Sequence, residues 1–193
     1  MILSVGCANA PSTRLHTLMA PKPVPRSATG PNAPTTPIVL EPIRIPTQVD
    51  QPQWLVRLAD GSLALLEQER WASPLQDEIR EALLEALGAR YATVEAAPGA
   101  PSPWRIRLDL RRFDTVPGRG ARIEGSWLLS GADARRPGQR CDWRLVEPAS
   151  GGLPELAKAH RRAVVRLADG LGDSLHRLSR GETPICPAHD ATP

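Results

Sequence analysis

Three cysteines and four histidines are the most reactive side chains in this chain, and their spacing limits what they can do. Cys186-Pro187-Ala188-His189 offers two metal ligands, but no other pair stands at the spacing a zinc site needs, so no metal is expected. His160 falls on the apolar stripe of a long helical pattern, where a hydrogen-bonded core histidine is expected rather than a catalyst. His16 and His189 lie in stretches without apolar periodicity. Gly-x-Ser-x-Gly, a phosphate-binding P-loop, His-Glu-x-x-His and the dinucleotide glycine fingerprint are all absent. No catalytic residue and no cofactor are therefore assigned.

Cys7 suggests different chemistry. It follows Ile2-Leu3-Ser4-Val5-Gly6 and precedes Ala8 and a Pro/Ser/Thr-rich stretch. A small residue before a cysteine, then a tether, resembles a bacterial lipoprotein processing site. Cleavage before Cys7 and acylation of that residue would anchor the protein, since each buried CH₂ contributes about 0.8 kcal/mol. Only six residues precede Cys7, none of them Lys or Arg, and Ser4 takes the usual aliphatic place. A signal needs a charged region and an apolar stretch of roughly 7–15 residues. The true start is accordingly expected upstream, residues 1–6 being a signal remnant; the alternative is a free cysteine in a leader. With Cys7 acylated, Cys141 and Cys186 remain. In an oxidising compartment they can form a disulfide that pins the tail to a strand; otherwise they are a buried and an exposed thiol.

Arginine and tryptophan supply the candidate contact residues. There are 22 Arg and only Lys22 and Lys158, yet 24 basic side chains stand against 21 acidic ones, and a net charge of +3 does not argue for nucleic acid. Residues 105–144 hold ten Arg against five acids. They could meet acidic lipid headgroups or an acidic partner, or form a solvated sheet face with cross-strand ion pairs. Candidates for partner binding or self-association are Trp54, Arg70, Trp71, Arg105, Arg107 and Arg111. Arg and Trp favour binding hot spots, but Trp71 could equally plug the core end, with Arg70 paired to Glu67 or Glu69. Trp104, Trp127 and Trp143 alternate with arginine at strand period and are expected in the core, which leaves no stacking platform for nucleic acid. Trp54 stands outside a clear alternation and is placed at an interface.

These residues need a scaffold. The 193 residues, 41% hydrophobic, suffice for one domain with extra chain, and no apolar run is long enough for a membrane-spanning helix. Residues 7–36 contain six prolines, no acid and no apolar periodicity, and read as a disordered tether. Residues 37–180 are patterned, and residues 181–193 read as a flexible tail. Ile38, Leu40, Ile43 and Ile45 suggest a strand bent at Pro42. Residues 53–58 and 62–69 flank Asp60-Gly61, a hairpin signal. Strands follow around residues 104–111, 123–129 and 141–145, with a weak one near 93–96. Ser73-Pro74-Leu75-Gln76 predicts a capped helix start, with Leu75, Ile79, Leu83 and Leu87 as its stripe. A second helix over about 154–178 buries Leu156, His160, Ala163, Leu167, Leu171, Leu175 and Leu178. The expected class is α+β: an antiparallel or mixed sheet with both helices on one face and arginines on the other.

The blocks Pro42-Ile43-Arg44-Ile45-Pro46, Val49-Asp50-Gln51-Pro52-Gln53 and Leu66-Glu67-Gln68-Glu69-Arg70-Trp71-Ala72-Ser73-Pro74-Leu75 carry a family resemblance. So do Arg112-Phe113-Asp114, Glu124-Gly125-Ser126-Trp127-Leu128-Leu129 and Ala159-His160-Arg161-Arg162-Ala163. Together they resemble the PqiC family, auxiliary lipoproteins of MCE-type intermembrane transport systems. The family pattern has an acid where Ser73 stands. The resemblance implies a non-enzymatic lipoprotein on the periplasmic face of the outer membrane, inserted in its inner leaflet through acyl chains. It further implies docking onto an MCE-domain subunit and self-association, a ring included. A scaffold lipoprotein of another envelope complex is the alternative, and an arginine-rich nucleic-acid binder a distant third.

Overall fold

In the computed structural model the described residues are 12–21, 37–88, 91–93, 104–131, 138–187 and 190. The strands are β1 (Arg14–His16), β2 (Pro37–Leu40), β3 (Gln53–Arg57), β4 (Leu63–Trp71), β5 (Ala92–Thr93), β6 (Trp104–Val116), β7 (Gly120–Ser130) and β8 (Gln139–Pro148). The helices are α1 (Leu75–Leu87) and α2 (Leu153–Ser179). The class is α+β with a mixed sheet, as the patterning predicts.

Strand β6 organises the sheet. One edge pairs antiparallel with β7 along its length, and β7 pairs antiparallel with β8. The other edge is shared. Its first residues take β2 in parallel, Ile38 facing Trp104 and Leu40 facing Ile106, while Thr115 near its end faces Val56 of β3. Strands β4 and β1 continue outward from β3. Trp104, Ile106, Leu108 and Leu110 are buried, while Arg105, Arg107 and Arg111 are exposed, the alternation of a sheet covered on one face. Helix α2 covers β6, β7 and β8 on that face and packs against α1. Its Leu156, Ala163, Leu167, Leu171 and Leu175 are almost completely buried. Gly170 sits in α2 because a Cβ there would lie 2.9 Å from Pro187 Cγ and 3.3 Å from Trp127, so glycine lets the tail cross the helix.

Four expectations are corrected. The tether over residues 7–36 is not loose throughout: Arg14–His16 is a strand parallel to Glu69–Trp71, and Leu18 is fully buried. Ser73 does not cap α1. Pro74 takes that position without a side-chain hydrogen bond, and the Ser73 hydroxyl instead donates to Glu78 at 2.8 Å, because that buried carboxylate needs donors. Trp54 is in the core at 1% exposure, since it points inward from β3 against Trp71, with ring centroids 4.5 Å apart. The tail beyond residue 180 is not wholly flexible either.

That tail runs beside β8, the last strand on its side of the sheet. Cys141 of β8 is bonded to Cys186, with Cα atoms 5.4 Å apart. The Asp190 amide donates to Arg144 O, and its carboxylate accepts from the Val146 amide at 2.8 Å. Arg166 of α2 donates to both Asp190 oxygens, which holds that carboxyl below the ordinary aspartate range. Edge groups that would otherwise template another strand are thereby occupied.

The disulfide closes a separation of 45 residues, for which chain entropy alone gives about 4 kcal/mol. Cys186→Ser is expected to lower unfolding free energy by roughly 2–4 kcal/mol. Urea curves with and without reductant check this: reductant should destabilise the wild type towards the variant and leave the variant unmoved.

Candidate functional site

Two features could serve function: the strap that joins the N-terminal segment to the domain, and the charged outer face of the sheet. The strap is built on two buried carboxylates. Glu69 is 5% exposed and meets His16 Nε2 at 2.6 Å and Arg14 Nε at 3.1 Å. Glu78, at 4% exposure, accepts from the Thr17 hydroxyl at 2.7 Å, the Leu18 amide at 2.8 Å and Ser73. A buried carboxylate is tolerated when several donors surround it, and here most donors come from the strap itself. Leu18 and the ring of His16, 4.5 Å from Trp54, add apolar contact.

On the outer face, arginines and acids interleave across the strands. Arg107 donates to Glu41 at 2.9 Å, and Arg111 passes over the Gly125 carbonyl of β7 to reach Asp142 of β8 at 2.7 Å. Asp114 is 5% exposed and holds two guanidiniums, Arg57 Nη2 at 3.0 Å and Arg112 Nη1 at 2.9 Å. The bond to Asp114 raises the Arg112 pKa above its ordinary value. Glu124 gathers Arg112, Arg122 and Arg144. Beside them a cavity of about 230 Å³ is lined by Arg57, Arg112, Arg119, Arg122 and Asp114, together with Leu58 and Val116.

The sequence-level candidates do not converge. Trp54 and Trp71 are buried, which takes both off the surface. Arg70 is half-buried on β4, with its Nε enclosed and partnerless. Arg105, Arg107 and Arg111 lie along β6, away from the cavity lining. Cys7 and His189 fall outside the described residues. Sequence reasoning missed the arginine cavity. Its signal was the doubled Arg111-Arg112, which breaks the period-2 pattern and marks a bulge.

His160 is fully buried, stacked on Phe113 with centroids 4.0 Å apart, and its Nε2 lies 2.8 Å from the Thr115 hydroxyl. Thr115 is 3% exposed, so no substrate reaches this pair. Burial pushes the imidazole down to about 3, against an opposing pull from the Asp114 charge. Among the described residues no group of three His, Cys, Asp or Glu could hold a metal ion, and no helix is long and apolar enough to cross a membrane. All five Trp, the single Tyr and the single Phe are buried. The outer face thus carries charge and no Trp, Tyr or Phe ring.

The domain combines a core closed by two helices, a strap over residues 14–18 and a charged sheet face. The chain belongs to the family of ABC-type transport auxiliary lipoprotein components, whose model matches residues 16–171. The match begins within β1, in keeping with the strap as part of the domain. Among solved structures the chain is similar to an uncharacterized protein at 14% identity and a TM-score of 0.66, covering 86% of this chain and 99% of that one. It is also similar to a Xanthomonas campestris protein of the family DUF330, at 18% identity and a TM-score of 0.62, covering 79% and 92%. These two likenesses show a shared fold. No curated protein matches the chain.

Removing the Glu78 carboxylate leaves three donors unpaired. Glu78→Ala is expected to cost about 2–4 kcal/mol and to release the strap. Tryptic cleavage after Arg14 should accelerate ahead of global unfolding; a strap as protected as in the wild type would refute its dependence on Glu78.

His160 makes stability depend on pH. The folded protein keeps the imidazole neutral, whereas the unfolded chain binds a proton near pH 6.5. This contribution is complete above about 6.5 and is lost as pH falls from there towards about 3, at up to about 1.4 kcal/mol per unit. His160→Gln is expected to flatten the fall in urea midpoint between about pH 7.5 and 5 relative to wild type. Parallel slopes in the two proteins would overturn the assignment.

Proposed function

We propose that this chain is a non-enzymatic, lipid-anchored subunit of an MCE-type intermembrane lipid transport system. It sits on the periplasmic face of the outer membrane and docks the periplasm-spanning MCE component there. The observation that carries the reading is the family match to transport auxiliary lipoproteins over residues 16–171, joined to Cys7 close upstream of the strap. The PqiC-like blocks support the finer assignment to MCE systems. Self-association through the sheet or its edges belongs to the same reading.

The strap gives the anchor a mechanical meaning. From Cys7 to Arg14 is seven residues, which span at most about 25 Å when extended. Acyl chains on Cys7 would hold the domain close to the bilayer, not at the end of a thirty-residue tether. Pull on the anchor would reach the sheet through β1, whose Arg14–His16 run lies beside Glu69–Trp71. Glu69 and Glu78 resist peeling.

The test is to express the gene from its native upstream region, feed cells an alkyne fatty acid and separate the membranes. Label in the outer-membrane fraction, abolished by Cys7→Ala, together with co-purification of an MCE-domain protein, is the expected result. An unlabelled protein would sink the anchor. Label without an MCE partner would transfer the chain to another envelope complex.

A further inference from the structure

The arginine cavity has an unusual composition. Four arginines, Arg57, Arg112, Arg119 and Arg122, line it together with Asp114, and Glu124 beside it takes Arg112, Arg122 and Arg144. The exposed Arg119, on the β6–β7 turn, makes no side-chain ion pair with any described residue. Arg57 and Arg112 are different in kind. Each is held by one oxygen of the buried Asp114, so their positions are fixed before any ligand arrives. Two pre-positioned guanidinium forks beside a third, free one make a receptor for a multi-oxygen anion, with little ordering entropy left to lose on binding.

The surroundings narrow the ligand. The cavity floor is apolar, with Val116, Ala121 and Val146, and Leu58 stands at the wall. Leu58, Leu63 and Leu65 are 42%, 43% and 40% exposed, and Leu63 pairs in register with Arg57. They make up half of the protein's exposed large hydrophobic residues among those described. An anion-binding hollow bordered by exposed leucines matches an amphiphile with its charged end in the hollow. At about 230 Å³ the hollow is smaller than the roughly 300 Å³ at which drug-sized pockets begin, so it admits a headgroup and leaves the acyl chains outside.

We infer that the Arg57–Arg112–Arg119–Arg122 cavity binds the phosphate headgroup of an anionic phospholipid at a bilayer surface, with Leu58, Leu63 and Leu65 against the apolar boundary. The chain's membership of a lipoprotein family puts such a surface within reach, and the charge complementarity is direct. The site does not depend on the MCE partner or on acylation, and it is tested without either.

The experiment is vesicle flotation of the full chain carrying Cys7→Ser, so that no acyl chain contributes. Vesicles are phosphatidylcholine alone or mixed with phosphatidylglycerol. Binding is expected only to the mixed vesicles. Arg119→Glu should weaken it by roughly tenfold or more, since each cation near an anionic surface contributes about a factor of five. Leu63→Ser with Leu65→Ser should weaken it several-fold, and soluble glycerol phosphate should compete. Arg105→Glu, an equal charge change at the far end of β6, should have little effect. Urea curves for Arg119→Glu should match the wild type, which keeps folding out of the comparison.

Equal losses from Arg105→Glu and Arg119→Glu would mean diffuse electrostatics and overturn the site. Inorganic phosphate binding without any preference for anionic vesicles would assign the cavity to free phosphate and overturn the lipid assignment. Indifference to both would leave a carboxylate-bearing peptide partner as the occupant and would equally overturn it. Loss of fatty-acid labelling at Cys7 would sink the anchor while leaving these results untouched, so the two readings fail separately.

Discussion

The structure turns on a one-residue slip in strand β6. Up to Leu110 the even-numbered residues face the helices: Trp104, Ile106, Leu108 and Leu110 are buried. Between Leu110 and Arg112 the pairing with β7 shifts register, and beyond it Phe113 and Thr115 face inward to meet His160. Because side chains alternate with period two, a slip of one exchanges the faces. Without it Arg112 and Asp114 would enter the core, and Phe113 would leave it. Gly125 of β7 permits the slip. A Cβ there would collide with the Asp109 carbonyl and come within 2.8 Å of Trp143. The bulge thus sends Arg112 and Asp114 to the outer face and seats His160 on its aromatic neighbour Phe113.

That arrangement separates two kinds of polar burial. Inside, His160 is kept neutral, and its Nε2 meets the Thr115 hydroxyl, so no charge enters the core. Outside, Asp114 is nearly as buried, and two guanidiniums share its carboxylate. The strap repeats the second solution, with Glu69 and Glu78 ringed by donors from a chain segment remote in sequence. In each case at least one partner comes from an element remote in sequence, so loss of that element leaves a buried carboxylate short of a donor. Such sites favour all-or-none docking over gradual fraying.

The features legible in the sequence were those with local periodicity. The stripe Leu75, Ile79, Leu83 and Leu87, the alternation from Trp104 to Leu110 and the Asp60-Gly61 hairpin each carry their information within a few turns or strand residues. The strap was hidden because three strand residues have no measurable period, and because its prolines and threonines gave the whole segment the composition of a linker. Trp54 was misplaced for a related reason. Its strand is five residues long and has an irregularity in its pairing with β4 next to Trp54, so the alternation is too short to read. The arginine cavity needed tertiary knowledge, because Arg57 and Asp114 meet only when β3 is laid beside the end of β6.

The strap and the cavity lie towards opposite ends of β4. The strap pairs with Glu69–Trp71, while the cavity wall includes Leu58, Ala59 and Gly61, next to Leu63 where β4 begins. Six residues of strand separate Leu63 from Glu69, about 20 Å at 3.3 Å per residue. The reach from Cys7 to Arg14 is at most about 25 Å, so an acylated Cys7 and the cavity could meet one bilayer with β4 lying along it. In that attitude Leu65, two residues along β4 from Leu63, would also face the membrane, and the helices would point away from it. A long tether would have left orientation free. With Cys7 acylated as proposed, the strap would convert a single-point anchor into a constraint on which face of the sheet meets lipid, and would leave the edges of the domain and the far side of α2 for protein partners.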